Sequence, residues 1–242
     1  MKISDTIANT IERLPTDHVF TYTDFNLDAN KKDAVVKALN RMVAAGKITK
    51  LSKGKFYKPQ QSRFGALPLS AYQIAKDLLE QNGEIVGYIT GYNAYNEMGL
   101  TTQIPGTLQI GTNKYRRQVK RGLYKISFIV QPNKIKKTNI ELLRILDSIR
   151  FIREIPGTTP DEACNRLMII IGQLSTEKVK TLATLALKYN PAVQALCGAM
   201  LENIGADELL TNKIAASLNP VTEYNMPVSE SVLPNKRKWR IK

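Results

Sequence analysis

Apolar residues recur at three- and four-residue steps from the start of the chain: Ile7, Ile11 and Leu14 share one face of a helix that Ser4 can cap and Pro15 stops. His18 to Tyr22 reads as a short extended piece, and Thr23-Asp24-Phe25 opens a helix of one or two turns. A longer helix is expected from about Asn30, with Val35, Ala38, Leu39, Met42 and Val43 on its inward face and Lys37, Asn40, Arg41 and Ala44 opposite. Gly46 stands where a left-handed C-terminal cap is wanted. Ile48 to Leu51 and Lys55 to Lys58 alternate about a Ser52-Lys53-Gly54 turn, as the strands of a hairpin do. Three helices followed by a hairpin is the order of a winged helix-turn-helix, predicted here for residues 1–60.

The pattern changes after Pro59-Gln60-Gln61-Ser62, a polar linker. An amphipathic helix is predicted over Leu69 to Leu79 and a short one over Gly91 to Met98, with strands at Ile85 to Ile89, Thr107 to Gly111 and Lys125 to Gln131. Residues 61–139 therefore form a small mixed α/β segment. Beyond it the helical signal dominates. Thr138-Asn139-Ile140-Glu141 and Thr159-Pro160-Asp161-Glu162 both have capping-box spacing, the second with proline at the first helical position, and Ser175 and Asn190-Pro191 open two more helices. Leu142, Leu146, Ile149, Leu167, Leu182, Leu196 and Met200 supply the apolar faces, so residues 140–219 are predicted as an all-helical bundle and the fold class as α+β. Pro220, Pro227 and Pro234 argue for an extended basic tail over 220–242, either disordered or wrapped about the body.

A chain of 242 residues, 43% hydrophobic, is enough for two or three soluble domains. No stretch approaches the roughly 18 apolar residues of a membrane span, and Met1-Lys2-Ile3-Ser4-Asp5 lacks the apolar core of a signal peptide, so a cytoplasmic location and no membrane partner are expected. Cys164 and Cys197 lie far apart in apolar helical patterns and are expected as buried, reduced thiols.

The net charge of +14 is unevenly spread: +5 over residues 1–60, +7 over 61–139, −1 over 140–219 and +3 over the tail. Between Asp33 and Asp77 there is no acidic residue, nor between Glu97 and Glu141. Long intervals of one sign create a field that attracts a polyanion such as nucleic acid or an anionic membrane.

The first interval coincides with the predicted winged helix. A major groove about 12 Å wide admits one helix, whose outward Lys37, Asn40 and Arg41 can reach base edges, asparagine suiting adenine and arginine guanine. Lys31 and Lys32 at its start, with Lys50, Lys53, Lys55 and Lys58 on the wing, can meet phosphate. The same lysines can also be a plain solvated face, and a winged helix can pack on protein instead of DNA. In the second interval the loop Asn113 to Gly122 carries Lys114, Tyr115, Arg116, Arg117, Lys120 and Arg121, a second nucleic-acid patch on duplex DNA or RNA with a stacking tyrosine, or else a mobile hairpin tip. Catalytic material is scarce. His18 has no carboxylate pattern near it, no Walker or dinucleotide glycine motif is present, and Glu177-Lys178-Val179-Lys180 matches a nuclease motif only by chance. No enzyme activity, cofactor or metal is expected.

The run Asn30 to Val43, with Gly46-Lys47-Ile48 and Leu51 to Pro59 behind it, resembles the N-terminal domain of AbiEi-type antitoxins. Gly91 to Pro105, the basic loop at Asn113 to Arg121, Leu185 to Pro191 and Leu196 to Gly205 are similar to later segments of that family, so the likeness runs from about residue 4 to about 217. It implies the antitoxin of a type IV toxin–antitoxin system, which opposes a nucleotidyltransferase toxin without forming a stable complex with it. It also implies repression of the protein's own operon through inverted repeats bound by the winged helix, with antitoxicity carried by residues 61–219. By position, DNA contact would fall on Lys31, Lys32, Lys37, Asn40, Arg41 and the wing lysines. A stand-alone winged-helix regulator with a sensing C-terminal part, and a nucleic-acid-processing accessory or RNA-binding protein, are the alternatives.

Overall fold

In the computed structural model, which describes residues 3–25, 31–104 and 106–242, the chain forms two units. One comprises Met1–Leu78 with Gln118–Ile126, the other Leu79–Arg117 with Ser127–Lys242. In the first, α1 (Ile3–Arg13) turns Ile7 and Ile11 inward against Val35, Ala38 and Leu39 of α2 (Lys32–Ala44). The strands β1 (Val19–Thr21), β2 (Thr49–Ser52) and β3 (Lys55–Tyr57) form an antiparallel sheet in the order β1-β3-β2. Phe20 and Phe56 oppose each other across β1 and β3, with ring centroids 6.3 Å apart, and close the core over the helices. Between β1 and α2 a 3-10 turn, Tyr22–Phe25, is fixed by Asp24, whose carboxylate accepts the Thr21 N–H at 2.5 Å. The expected start of the long helix near Asn30 lies outside the described residues.

The C-terminus of α2 is built as expected. Lys47 N–H reaches the Met42 carbonyl at 3.0 Å and Gly46 N–H that of Val43 at 3.0 Å, while Gly46 takes φ 69°, a left-handed conformation that side chains with a Cβ disfavour. Helix, strand, helical turn, helix and two-stranded wing make this part of the unit a winged helix-turn-helix.

The expected linker after Pro59 is instead a small hairpin, β4 (Gln61–Ser62) and β5 (Gly65–Ala66), and α3 (Ala71–Leu79) follows. The segment 61–139 is therefore not one unit. Its first part and the hairpin Val119–Ile126 belong with the winged helix, and Arg121 of the hairpin is bonded to Asp77 of α3.

The second unit contains β6 (Glu80–Gln81), β7 (Glu84–Ile85), β8 (Gly87–Thr90), α4 (Tyr92–Glu97) and β9 (Thr107–Thr112). In the sheet order β9 lies between β8 and β11 (Tyr124–Val130), and β10 (Val119–Arg121) is the outer strand of the hairpin named above. The helices are α5 (Ile140–Arg150), α6 (Pro160–Gly172), α7 (Thr176–Ala186), α8 (Pro191–Asn203) and α9 (Glu208–Ala216), around one large apolar core. Three of the expected caps form: Thr159 accepts the Glu162 N–H at 3.2 Å while Glu162 accepts that of Thr159 at 2.8 Å, and Ser175 and Asn190 cap α7 and α8. The box expected at Thr138 does not. Asn139 takes its place, accepting the Lys136 N–H at 2.9 Å and donating to the Lys134 carbonyl. Cys164 and Cys197 are buried and unbridged, and burial pushes both thiols up to about 12.

The tail is neither disordered nor a free basic segment. Tyr224, Met226, Val228, Leu233, Trp239 and Ile241 are buried in the core of the second unit. Several of its cations are engaged locally: Arg237 pairs with Glu230 at 2.5 Å, Lys238 with Glu202 and Lys242 with Glu223 at 3.0 Å, and Lys236 donates to the Val228 carbonyl at 2.7 Å. Among the described residues no helix is long and apolar enough to cross a membrane.

Candidate nucleic-acid interface

On α2 the positions that face away from the core are set by the helical repeat. Val35, Ala38 and Leu39 are buried, which leaves Lys37, Asn40 and Ala44 near the centre of the exposed face and Arg41 on its flank toward α1. Arg41 lines a depression of about 290 Å³ with Ala38, Met42 and Ala45 of the same helix end and Ser4, Asp5 and Ala8 of α1. Lys32 is exposed, with its Nζ 4.7 Å from the centroid of the Tyr22 ring, and Lys31 is half-buried. Within α2 the one acid is Asp33, in the first turn, where the positive end of the helix dipole suits it.

The wing lysines separate into two kinds. Lys50 and Lys53 are exposed. Lys58 donates to the Glu12 carbonyl at 3.1 Å and ties the wing to the end of α1. Lys55 is bonded to Asp77, which also receives Arg121 through Nη1 at 2.5 Å and Nη2 at 2.8 Å. Partial burial works to raise the Asp77 carboxyl, but the hydrogen bonds from Arg121 and Lys55 outweigh it and hold the group below its usual range. Arg121 Nη1 further donates to the Ile74 carbonyl at 2.5 Å, and the residue is only 7% exposed. Lys55, Lys58 and Arg121 thus join elements of the unit to one another, which corrects their expected role as free phosphate contacts.

The remainder of the second patch falls on both units. Lys114, Tyr115 and Arg117 are exposed and Arg116 half-buried in the second unit, while Lys120 is exposed in the first. The first unit carries 16 basic and 7 acidic residues, net +9, and so holds most of the chain's +14 in about a third of its length. Such a surface concentrates anions, and its combination of exposed lysines with Asn40 and Arg41 on a helix suits a duplex.

One strongly perturbed carboxylate lies outside the residues that the sequence singles out. Asp147, on α5, is 1% exposed. Its Oδ2 accepts from Tyr88 at 2.6 Å and Thr90 at 2.9 Å, and its Oδ1 from Tyr189 at 2.9 Å. Gln131 donates to both tyrosine oxygens, at 2.8 and 2.6 Å. Burial pushes the carboxyl up to about 6 against the opposing hydrogen bonds of Tyr88, Tyr189 and Thr90. These hydrogen bonds tie α5 to β8 and to Tyr189. Among the described residues no group of histidines, cysteines and carboxylates is placed to hold a metal.

A folded-state value of about 6, above the roughly 3.9 of a free aspartate, means that the folded protein binds an extra proton between those limits. This contribution favours folding at low pH and is lost as pH rises through 6. Asp147→Asn is expected to remove it, so the stability of the variant relative to the parent should rise between pH 4 and 7, by up to about 3 kcal/mol. Urea titrations followed by circular dichroism across that range check this; a difference that stays constant with pH would show that the Asp147 carboxyl titrates alike in the folded and unfolded chain.

The chain matches the model of a family of unknown function, DUF6088, over residues 6–182. No curated protein matches it. Among solved structures it is similar to the crystal structure of the RV2827C protein from Mycobacterium tuberculosis, at 13% identity and a TM-score of 0.53, with 91% of this chain and 82% of that one covered. At that identity the likeness concerns the fold.

Proposed function

The chain belongs to DUF6088, a family of unknown function, and we propose that this member is a DNA-binding transcriptional autorepressor and the antitoxin of a type IV toxin–antitoxin system, acting in the cytoplasm. The observation that carries the DNA-binding half is the exposed face of α2, where Lys37, Asn40 and Arg41 stand clear of the core on a unit of net charge +9. Exposed Lys32, Lys50 and Lys53 supply phosphate contacts, while Asn40 and Arg41 read bases. The antitoxin half rests on the resemblance to AbiEi-type proteins, with a nucleotidyltransferase toxin opposed without a stable complex and the second unit carrying that activity.

The full chain is expected to bind a duplex from immediately upstream of its own gene, with an affinity that falls steeply with salt. A slope of about −0.9 per phosphate contact gives a value of roughly −4 or steeper if Lys32, Lys37, Lys50 and Lys53 all engage. Co-expression with a nucleotidyltransferase toxin encoded beside it should restore growth of poisoned cells. Repression without rescue would leave a stand-alone regulator, and absence of any duplex binding at low salt would overturn the reading.

A further inference from the structure

The hairpin Val119–Ile126 has two faces of opposite character. Val119 pairs with Ile126, Lys120 with Lys125 and Arg121 with Tyr124 across the two strands, so directly opposed residues share a side of the hairpin. On one side Arg121 and Ile126 are buried and Tyr124 is half-buried, with Val119 exposed at the far end, and the Arg121 guanidinium is locked on Asp77 and the Ile74 carbonyl. Lys120 and Lys125 lie on the other face, both exposed, and among the described residues neither has an ion-pair partner. Two like charges directly opposite each other destabilise a hairpin. No acidic residue lies between Glu97 and Glu141 to relieve them.

The turn of this hairpin is Gly122-Leu123. A Cβ added at Gly122 would lie 3.5 Å from the Leu51 carbonyl oxygen, so the turn sits against strand β2 of the wing. Next to it Leu123 is 94% exposed. Lys125 stands two residues beyond Leu123, paired across the hairpin with Lys120, and Lys50 precedes Leu51 on β2. An apolar tip flanked by lysines has the make-up of elements that enter a DNA minor groove, where the cations hold the backbones and the apolar side chain meets sugars and base edges.

We propose that Val119–Ile126 is a second wing, which contacts the minor groove beside the site taken by the first wing: Lys120 and Lys125 bind phosphates, Leu123 enters the groove, and Arg121 is a positioning residue that fixes the hairpin to the unit through Asp77. This rests on the DNA-binding reading and extends it to a surface outside the helix-turn-helix. The occupant is duplex DNA because the hairpin belongs to the same unit as α2, and because its charge attracts a polyanion and repels a second copy of a unit that itself carries +9.

The test uses the full chain and the duplex from upstream of its gene. Lys120→Ala with Lys125→Ala removes two exposed side chains and should leave the circular dichroism of the parent intact and its melting temperature no lower. It is expected to lower the salt slope by roughly two and the affinity by roughly 50-fold at 0.1 M salt. An iron chelate attached at Leu123→Cys should cleave the duplex in a minor groove flanking the recognition site, and the attachment is specific because Cys164 and Cys197 are both 0% exposed. If the parent binds with a dependence on Asn40 and Arg41 but the lysine variant keeps the parental slope and affinity, the second wing is wrong and the DNA-binding reading stands. If the parent binds no duplex, both fall. If single-stranded RNA displaces the duplex and the lysine pair matters only for RNA, the hairpin is an RNA contact and the proposal is overturned.

Discussion

Trp239→Ala is expected to destabilise the second unit by about 3–5 kcal/mol, the usual cost of truncating a buried tryptophan. The indole is 3% exposed, and its Nε1 donates to Glu202 Oε2 at 2.8 Å. Around it the tail is closed on itself: Tyr224 N–H donates to the Arg240 carbonyl at 2.7 Å and Lys242 N–H to that of Tyr224 at 3.0 Å. The ring packs directly on the backbone of α8 at Gly198, where a Cβ would lie 2.2 Å from a ring carbon. Gly198→Val should therefore expel the tryptophan and produce a loss of the same order, since neither the helix backbone nor the ring can yield. With Trp239→Ala and Gly198→Val combined the two losses should not add, because the cavity left by the indole accommodates the new side chain. A total folding free energy of only about 5–15 kcal/mol makes either single change easy to detect. Urea unfolding followed at 222 nm measures all three variants. A Trp239→Ala midpoint equal to that of the parent would mean that the tail contributes nothing to the core.

The tail marks the limit of what the sequence discloses. Its prolines correctly exclude regular helix, but an extended strap and a disordered one share the same composition, and what distinguishes them is a gap on another helix. That gap is Gly198, which in sequence is one small residue in an apolar run. The winged helix, by contrast, was legible almost throughout, because the signals that define it are local. Helical spacing of Val35, Ala38 and Leu39, a glycine at position 46 and a Ser52-Lys53-Gly54 turn each act within a few residues.

Contacts distant in sequence were not legible. Arg121 and Asp77 are 44 residues apart, and their ion pair ties the hairpin Val119–Ile126 to α3 within the first unit. A list of basic residues gives no sign that Arg121 and Lys55 are committed to a carboxylate while Lys120 and Lys50 are not. Asp147 did leave a trace. It follows Leu143 by four residues in a run that includes Leu142, Ile145, Leu146 and Ile149, and an acid at an inward step of a helix demands partners. Those partners, Tyr88, Thr90 and Tyr189, lie more than 40 residues away on other elements, so the demand was readable and its satisfaction was not.

For function, the decisive residues are Asn40 and Arg41. Replacing both by alanine is expected to reduce affinity for the upstream duplex by about 30-fold or more, since a good bidentate contact to a base contributes about 1–3 kcal/mol. Affinity for unrelated DNA should fall far less, because Lys32, Lys37, Lys50 and Lys53 remain to bind phosphates. The ratio of specific to non-specific binding, measured at one salt concentration, is thus the informative quantity. The two single variants carry separate information. Asn40 lies near the centre of the exposed face of α2, whereas Arg41 sits on its flank and lines the depression shared with Ser4, Asp5 and Ala8. If Arg41 serves only to pack α2 on α1, Arg41→Ala will lower the melting temperature and leave discrimination unchanged. If it reads a base, discrimination will fall with the melting temperature intact. A double variant that keeps the parental ratio would remove α2 as the reading helix, whatever the charge of the unit around it.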